Sequence, residues 1–276
     1  MRIRDILERD NCLKMTLVVL FRSPSPIPQE DDYHKVLLGN GMKPISIPVL
    51  SFKFNNLHEL AQKLQEPCKY GGMVLTSQRA VEAIECSVNE FISKEVWKNS
   101  IANVWQQRAI FVVGKASAKA ATEKLGLQST GQEAGSAEAL VPIILQSVKP
   151  AGNPLLFPCG NMRRETIPTE MEKAGIPLDS VQVYSTCADL NIKQSLEDLI
   201  KVQGTPSYAV FFSPSGVNFT ADILSSITEW WNRVKLVAIG KTTAEAMKKK
   251  EWTVRAVADQ PNPQALAQCI ALSMQE

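Results

Sequence analysis

Hydroxyl side chains recur at the ends of apolar runs in this sequence, where they could bind anions. The runs MVLT, IFVVG, VFFS and LVAIG each end where a helical pattern begins. The hydroxyl residues at these ends are Thr76, Ser77, Ser117, Ser213, Ser215, Thr242 and Thr243. Ligands of parallel sheets bind at the carboxyl ends of the strands, where the first backbone N–H groups of each helix are also free. We therefore expect these hydroxyls to share one rim.

Basic residues accompany the hydroxyls. They are Arg79, Lys115, Arg163, Arg164 and Lys241. Together with hydroxyls and backbone N–H groups they suit a ligand with several carboxylates or phosphates. N-capping is a second interpretation of the hydroxyls, at about 1 kcal/mol per helix, and we expect it to account for at least half of them.

Tyr184 is the one phenol near a predicted domain crossing, in the strand VQVYS. By residue type alone, a tyrosine in a strand is more often half-buried core than a catalytic acid. A tyrosine can nevertheless act as a general acid. The residue pattern leaves both roles open.

The sequence lacks the motifs of nucleotide binding, nucleophilic catalysis and metal binding. The segment GKTT at Gly240 resembles the end of a phosphate-binding loop, but that motif needs a glycine where Lys235 stands. We find no nucleophile elbow, no H-E-x-x-H motif and no metal-ligand cluster, and the two histidines, His34 and His58, lie in unrelated places. The sequence therefore predicts an activity without metal or cofactor.

Composition and cysteine usage favour a cytoplasmic protein with a small-molecule ligand. The net charge of +2 offers no field for nucleic acid or a membrane surface, and no apolar run reaches the roughly 18 residues of a membrane span. The six cysteines contain no C-x-x-C pair, which suggests reduced core thiols in a chain without a secretory signal. Acidic residues within 1–14 argue against a mitochondrial transit peptide.

Strands alternate with helices along the chain, which predicts an α/β fold with parallel sheets. The stretch from Ala109 to Gly131 is repeated from Val234, with Gly240 in the place of Gly114 and Thr243 in the place of Ser117. We infer a duplication. The patterns also predict one strand over PISIPVLSF and a helix from Ser117 to Leu125 that Gly126 ends.

With these residues assembled, the chain resembles the uroporphyrinogen-III synthase family. The similarity covers about residues 15–273 and rests on SIPVLSF, YGGMVLTSQRAVEA, VVGKASA, LLFPCGNMRRE, VYST, VFFSPSG, AIGKTTA and PNPQALA, in the order of the family. Gln78 and Lys241 stand where relatives commonly have proline, and residues 1–14 have no counterpart.

The resemblance implies two flavodoxin-like α/β domains joined by a two-stranded linker. One domain would be discontinuous, residues 15–49 with 190–276, and the inserted domain would span residues 53–182. Linker strands are expected near Leu50 to Phe52 and Val183 to Thr186, and residues 1–14 would be an extension of unknown role.

The resemblance also implies an activity. The substrate would be hydroxymethylbilane, a linear tetrapyrrole with eight carboxylates, which a monomeric enzyme cyclises with loss of water and inversion of ring D, using no cofactor. Tyr184 would protonate or hydrogen-bond the departing hydroxyl. Carboxylate ligands would be Thr76, Ser77, Ser117, Ser213, Ser215, Thr242 and Thr243, supported by Arg79 and Arg164.

The alternative is a two-lobed protein that binds an anionic metabolite without chemistry. It would share the cleft and the hydroxyls. The VYST element and the lack of a signal peptide argue against it.

Overall fold

The computed structural model describes residues 15–25, 27, 30–226 and 228–275. The predicted extension over residues 1–14 lies outside them. The strands are β1 (Thr16–Phe21), β2 (Met42–Ile47), β3 (Leu50–Phe54), β4 (Gly72–Leu75), β5 (Ala109–Val112), β6 (Leu155–Gly160), β7 (Leu178–Ala188), β8 (Tyr208–Phe211), β9 (Lys235–Ala238) and β10 (Val254–Val257).

Helices connect most of these strands. The α-helices are α1 (Asp32–Gly39), α2 (Leu57–Leu64), α3 (Gln78–Ser87), α4 (Lys94–Val96), α5 (Ala102–Gln106), α6 (Gly114–Ala120), α7 (Ala137–Ser147), α8 (Thr166–Lys173), α9 (Ile192–Gln203), α10 (Pro214–Ser225), α11 (Thr228–Trp231), α12 (Lys241–Lys248) and α13 (Pro263–Gln275). Shorter turns are a 3₁₀ helix at Pro67–Lys69 and π-helices at Val88–Ile92, Trp97–Ile101 and Ala121–Leu125. Among the described residues, no helix has the length and apolar character that crossing a membrane requires.

The strands form two five-stranded sheets, in the orders β10-β9-β8-β1-β2 and β3-β7-β6-β4-β5. Parallel pairing joins β1 to β2 and β8, β9 to β8 and β10, β4 to β5 and β6, and β6 to β7. Parallel strands require crossover connections, and the helices supply them. The prediction of an α/β fold with two flavodoxin-like parallel sheets and a two-stranded linker is confirmed.

The chain divides into two compact units. Unit 1 contains the described residues up to Ser51 and those from Cys187 onward, and unit 2 is Phe52–Thr186. The chain therefore passes from one unit to the other within β3 and returns within β7, which are neighbours in the sheet order.

Each sheet is buried on both faces, as the continuous apolar runs require. In unit 1, Val19 and Phe211 belong to the core on one face of the sheet, while Val18 and Val210 belong to the core on the other. Unit 2 likewise has one core on each face of its sheet.

The two sheets repeat one arrangement with exchanged segments. In unit 1 the chain order β1, β2, β8, β9, β10 gives the spatial order 2-1-3-4-5. In unit 2 the corresponding spatial order is β7-β6-β4-β5. A parallel bridge between Phe111 and Thr130 occupies the fifth position, next to β5. Each half of the sequence thus supplies strands to both units.

Two details differ from the sequence patterns. The predicted strand PISIPVLSF is two strands, β2 and β3, that belong to different sheets. The break falls after Ile47, where Pro48 has no N–H to continue a ladder. The predicted helix of Ser117 to Leu125 begins earlier, at Gly114, and continues as π-helix to Leu125; Gly126 ends it at φ 72°.

Candidate functional site

A cavity of about 300 Å³ opens in unit 2 beyond the ends of β4 and β6. Its lining mixes hydroxyls, cations, glycines and apolar side chains. The polar and glycine positions are Thr76, Ser77, Gly135, Ser136, Gly160, Arg163, Arg164 and Tyr184. Thr76, Ser77, Arg164 and Tyr184 are predicted site residues, and the fold brings these four together.

Ser77 is held by its helix. The fully buried strand β4 ends at Leu75, and Ser77 adopts an extended conformation as the N-cap of α3. Its Oγ accepts a hydrogen bond from the backbone N–H of Ala80 at 3.2 Å. Capping by a serine oxygen satisfies one of the free N–H groups of the helix start.

Tyr184 reaches the cavity through an irregularity in its strand. The pairing of β6 with β7 shifts register between Cys159, opposite Gln182, and Gly160, opposite Tyr184. Such irregularities redirect side chains. The half-buried Tyr184 then places its hydroxyl 3.0 Å from Ser77 Oγ.

Gly160 gives the tyrosine ring its space. A Cβ at this position would lie 2.5 Å from two ring atoms of Tyr184 and 2.8 Å from its hydroxyl oxygen. Any larger residue would therefore displace the ring.

Asn161 ties the next turn to the same strand. Its N–H donates to the Tyr184 carbonyl at 3.1 Å, and its Oδ1 accepts from the Thr186 N–H at 2.9 Å. Neither Gly160 nor Asn161 was predicted as a site residue. The signal available in the sequence was the Gly-Asn pair directly after an apolar strand.

The arginines of the cavity have partners within the protein. Arg163 Nη1 donates to Cys159 Sγ at 3.2 Å, and its Nε lies 3.3 Å from a Glu165 carboxylate oxygen. Burial raises the pKa of the Cys159 thiol, and the Arg163 hydrogen bond opposes that shift. Arg164 is exposed, with Nη1 3.7 Å from Glu138.

Glu138 is a stable negative charge beside the cavity. Its own backbone N–H, together with hydrogen bonds from Ser136 and Thr166, lowers its pKa to about 2. The carboxylate is therefore ionised at neutral pH, and Arg164 faces a fixed counter-charge.

Two predicted residues of unit 2 do not line this cavity. Arg79 forms an ion pair with Glu82, and its guanidinium carbon lies 4.2 Å from the ring centroid of Phe52. Ser117 is only 5 % exposed and lies within α6. Lys115, a further candidate cation, pairs with Glu133 at 3.4 Å. The sequence pattern missed these acidic partners.

Unit 1 places its hydroxyls on two helices that pack together, α10 and α12. Ser213 caps α10 by accepting from the Gly216 N–H at 3.0 Å, and Ser215 is half-buried in the first turn. Thr242 is exposed, whereas Thr243 is 2 % exposed. The predicted hydroxyls therefore lie at the edges of two sheets, two strand ends in each unit.

Capping is less common than we predicted. Of the candidate hydroxyls, Ser77 and Ser213 accept a capping hydrogen bond. The N-caps of α6 and α12 are Val113 and Gly240, neither of which has a side-chain capping bond.

Within the described part of the chain, no cluster of three or more His, Cys, Asp or Glu residues could hold a metal ion. Cysteines 68, 86, 159, 187 and 269 are free. Cys159 is buried and the half-buried Cys269 packs against a core of unit 1, so the prediction of core thiols fits these two. Cys12 lies outside the described residues.

The chain has two flavodoxin-like units joined by two strands, and a polar cavity lies at the carboxyl ends of one parallel sheet. These features define a class of two-domain α/β proteins that bind ligands at sheet edges. The family model described as uroporphyrinogen-III synthase HemD matches residues 31–268. The chain belongs to this family, whose members are cyclising lyases of haem biosynthesis.

Curated relatives agree with this assignment, and solved structures agree with the fold. The uroporphyrinogen-III synthase of Schizosaccharomyces pombe is 29% identical over 87% of this chain and 91% of its own length. That of Saccharomyces cerevisiae is 24% identical over 94% and 96%. The Helicobacter pylori uroporphyrinogen-III synthetase structure, at 16% identity and TM-score 0.58, covers 94% of this chain and all of its own, and supports the fold.

A mutant Thermus thermophilus uroporphyrinogen III synthase structure is similar at TM-score 0.53 and 14% identity. It covers 94% of this chain and 99% of its own. This likeness again concerns the fold.

Proposed function

We propose that this chain closes hydroxymethylbilane to uroporphyrinogen III with inversion of ring D, and that the cavity of unit 2 supplies the acid for the first step. The observation that carries the proposal is the Tyr184 hydroxyl, which faces this cavity at the sheet edge, 3.0 Å from Ser77. A tyrosine hydroxyl can donate a proton as a general acid.

The reaction requires no covalent bond between the protein and the substrate. Loss of the terminal hydroxyl as water leaves a delocalised azafulvene cation, which attacks the substituted carbon of ring D. A spiro intermediate then rearranges and the macrocycle closes. Because the bilane also cyclises unaided to the wrong isomer, the protein acts chiefly by holding one carbon, and not another, against the cation.

Eight carboxylates need many donors, and we assign them to both units. Thr76 in unit 2 and Ser213, Ser215 and Thr242 in unit 1 present accessible hydroxyls. Arg79 and Arg164 add positive charge, which their acidic partners reduce. Ser117 and Thr243 are buried, so we assign them to shaping the starts of α6 and α12.

We further propose that the two units are the domains of the enzyme and that it works as a cytoplasmic monomer without nucleic acid. The near-neutral net charge of +2 supports the absence of a nucleic-acid partner.

The decisive experiment is product analysis. The purified full chain is incubated with freshly made hydroxymethylbilane, and the oxidised porphyrins are separated by chromatography. We expect type III in excess over type I. Formation of type I alone, at the rate of the protein-free reaction, would refute the proposal and favour a protein that only binds an anionic metabolite.

Replacing the acid should slow the chemical step. We expect Tyr184→Phe to lower the single-turnover rate of type III formation by about ten- to a thousandfold, the range of general acids. Some rate remains because the pyrrole itself promotes departure of the hydroxyl.

Tyr208→Phe is the matched control. Tyr208 is a buried tyrosine of unit 1 that accepts a hydrogen bond from Ser273 at 3.1 Å, so its loss should affect stability and not the rate. If Tyr184→Phe turns over like the parent, the acid is another group.

A further inference from the structure

The Ser77 hydroxyl has two hydrogen-bond partners in the protein, one of which can only donate. Its Oγ lies 3.2 Å from the backbone nitrogen of Ala80 and 3.0 Å from the Tyr184 hydroxyl oxygen. The Ala80 N–H can only donate, so it occupies an acceptor site of the serine oxygen. The serine proton remains available for the phenol oxygen.

The direction of the bond to Tyr184 decides whether the phenol is useful as an acid. If the phenol donated to Ser77, its proton would be engaged within the protein. If Ser77 donates to the phenol, the tyrosine proton is free to point into the cavity. Because the Ala80 N–H donates to Ser77 Oγ, the second direction gives the serine proton the phenol oxygen as its acceptor and leaves the Tyr184 proton to the cavity.

We propose that Ser77 is a positioning residue for the acid and not a ligand of a substrate carboxylate. This inference rests on the function proposed above. In the first step the Tyr184 O–H bond breaks, its proton joins the departing hydroxyl, and the C–O bonding pair leaves with the water. The phenolate that remains accepts the Ser77 hydrogen bond, and it regains a proton when the new macrocycle loses one on restoring its pyrroles.

The helix start strengthens this arrangement. Ser77 lies at the positive end of α3, where backbone dipoles stabilise negative charge. A serine hydroxyl polarised by the Ala80 N–H is a better donor to a developing phenolate. Gly160 beneath the ring and the hydrogen bond of Asn161 to the Tyr184 carbonyl hold the phenol in place.

The two roles of Ser77 predict different kinetics. A carboxylate ligand contributes to substrate binding, so its loss raises KM. A residue that acts through Tyr184 leaves KM nearly unchanged and lowers kcat, and its effect disappears when the phenol is absent.

The test is a double-mutant cycle on the full chain with hydroxymethylbilane, using Ser77→Ala, Tyr184→Phe and the double variant. We expect Ser77→Ala to lower kcat by about five- to fiftyfold with KM within about twofold of the parent. In the Tyr184→Phe background the same change should cost less than about twofold. Ser77→Thr, which keeps the hydroxyl, should restore most of the rate.

Ser77→Ala removes both the N-cap of α3 and the hydrogen bond to Tyr184, so a control must separate these two effects. Asn262→Ala is the matched control, because Asn262 Oδ1 accepts from the Ala265 N–H at 2.8 Å at the start of α13 in unit 1. It should lower the melting temperature and leave kcat unchanged. If Ser77→Ala folds poorly, Ser77→Gly replaces it, since glycine is tolerated at N-caps at a cost of a few tenths of a kcal/mol.

The outcomes separate the two proposals. A raised KM with unchanged kcat, or losses that multiply in the double variant, overturns the role of Ser77 and leaves the proposed function intact. A parent chain that forms no type III product overturns both. A Tyr184→Phe variant as fast as the parent overturns the roles of Tyr184 and Ser77 and leaves the cyclisation activity intact.

Discussion

Gly160 is the residue on which the position of the phenol depends. A methyl group there would meet the Tyr184 ring at 2.5 Å, so the ring must shift from its present position. We expect Gly160→Ala to lower the rate of type III formation by about tenfold or more, since a displaced acid loses its alignment. Single-turnover kinetics would measure this.

Gly39→Ala serves as the control for this substitution. It adds the same methyl group in open space at the end of α1, so rate and stability should stay near the parent values. An unchanged rate in Gly160→Ala would mean that the ring can move without loss of function.

Neighbouring threonines in α12 should respond differently because one is exposed and the other is 2 % exposed. Thr242→Ala should raise KM for the bilane by about three- to tenfold, the effect of losing a hydroxyl that water replaces in part. Thr243→Ala should chiefly lower the melting temperature, because it leaves a buried gap. The reverse pattern would make Thr243 the ligand.

At the scale of elements, the start of α1 depends on a buried carboxylate. Asp31 caps this helix by accepting from the Tyr33 and His34 N–H groups, and it pairs with Arg22 at 2.9 Å. Burial raises the Asp31 pKa, but backbone hydrogen bonds from Ser25 and His34 and the charge of Arg22 lower it further, so the net shift is downward.

The sign of this shift gives a pH dependence. A carboxylate whose pKa is lower in the folded than in the unfolded chain stabilises the fold above about pH 4, and this contribution is lost as the pH falls through the folded pKa. We expect Asp31→Asn to destabilise the protein by about 1–3 kcal/mol at pH 7 and by less at pH 3. Denaturant unfolding at both values would measure it.

Asp32→Asn provides the comparison. Asp32 is the next residue, is exposed, and pairs with Lys35 at 3.4 Å. Exposed pairs of this kind contribute little, about 0.5 kcal/mol or less. Equal effects of the two substitutions would contradict a special role of Asp31.

At the scale of the whole molecule, the two crossings decide which segments fold together. Unit 2 is one continuous segment, Phe52–Thr186, with cores on both faces of its sheet. We expect this segment alone to fold and to melt cooperatively, and to form no type III product. Circular dichroism and calorimetry would test it.

A fragment of residues 1–150 is the control, because it ends near the middle of the sequence and divides both sheets. It lacks β6 and β7, which lie between β3 and β4 in unit 2. Folding of this fragment, with an unfolded 52–186 segment, would contradict the division into units.

The sequence by itself determined the local elements wherever one pattern was strong. The apolar run TLVVLF forms β1 at Thr16–Phe21, and the helical pattern HELAQKL lies within α2 at Leu57–Leu64. Over residues 88–106 the helical period is weak, because two π-helices interrupt it. The apolar strands and the hydroxyls at their ends could also be predicted from the sequence, because propensity and periodicity depend on a few neighbouring residues.

Only the tertiary structure decided which of these pieces meet. Ser77 and Tyr184 are 107 residues apart in sequence, and their contact depends on the shifted pairing of β6 with β7 and on the space above Gly160. Packing between distant segments also brings Glu138 to Arg164 and separates the hydroxyls between two sheets. Such packing depends on shape and burial across the whole chain, which no local pattern records.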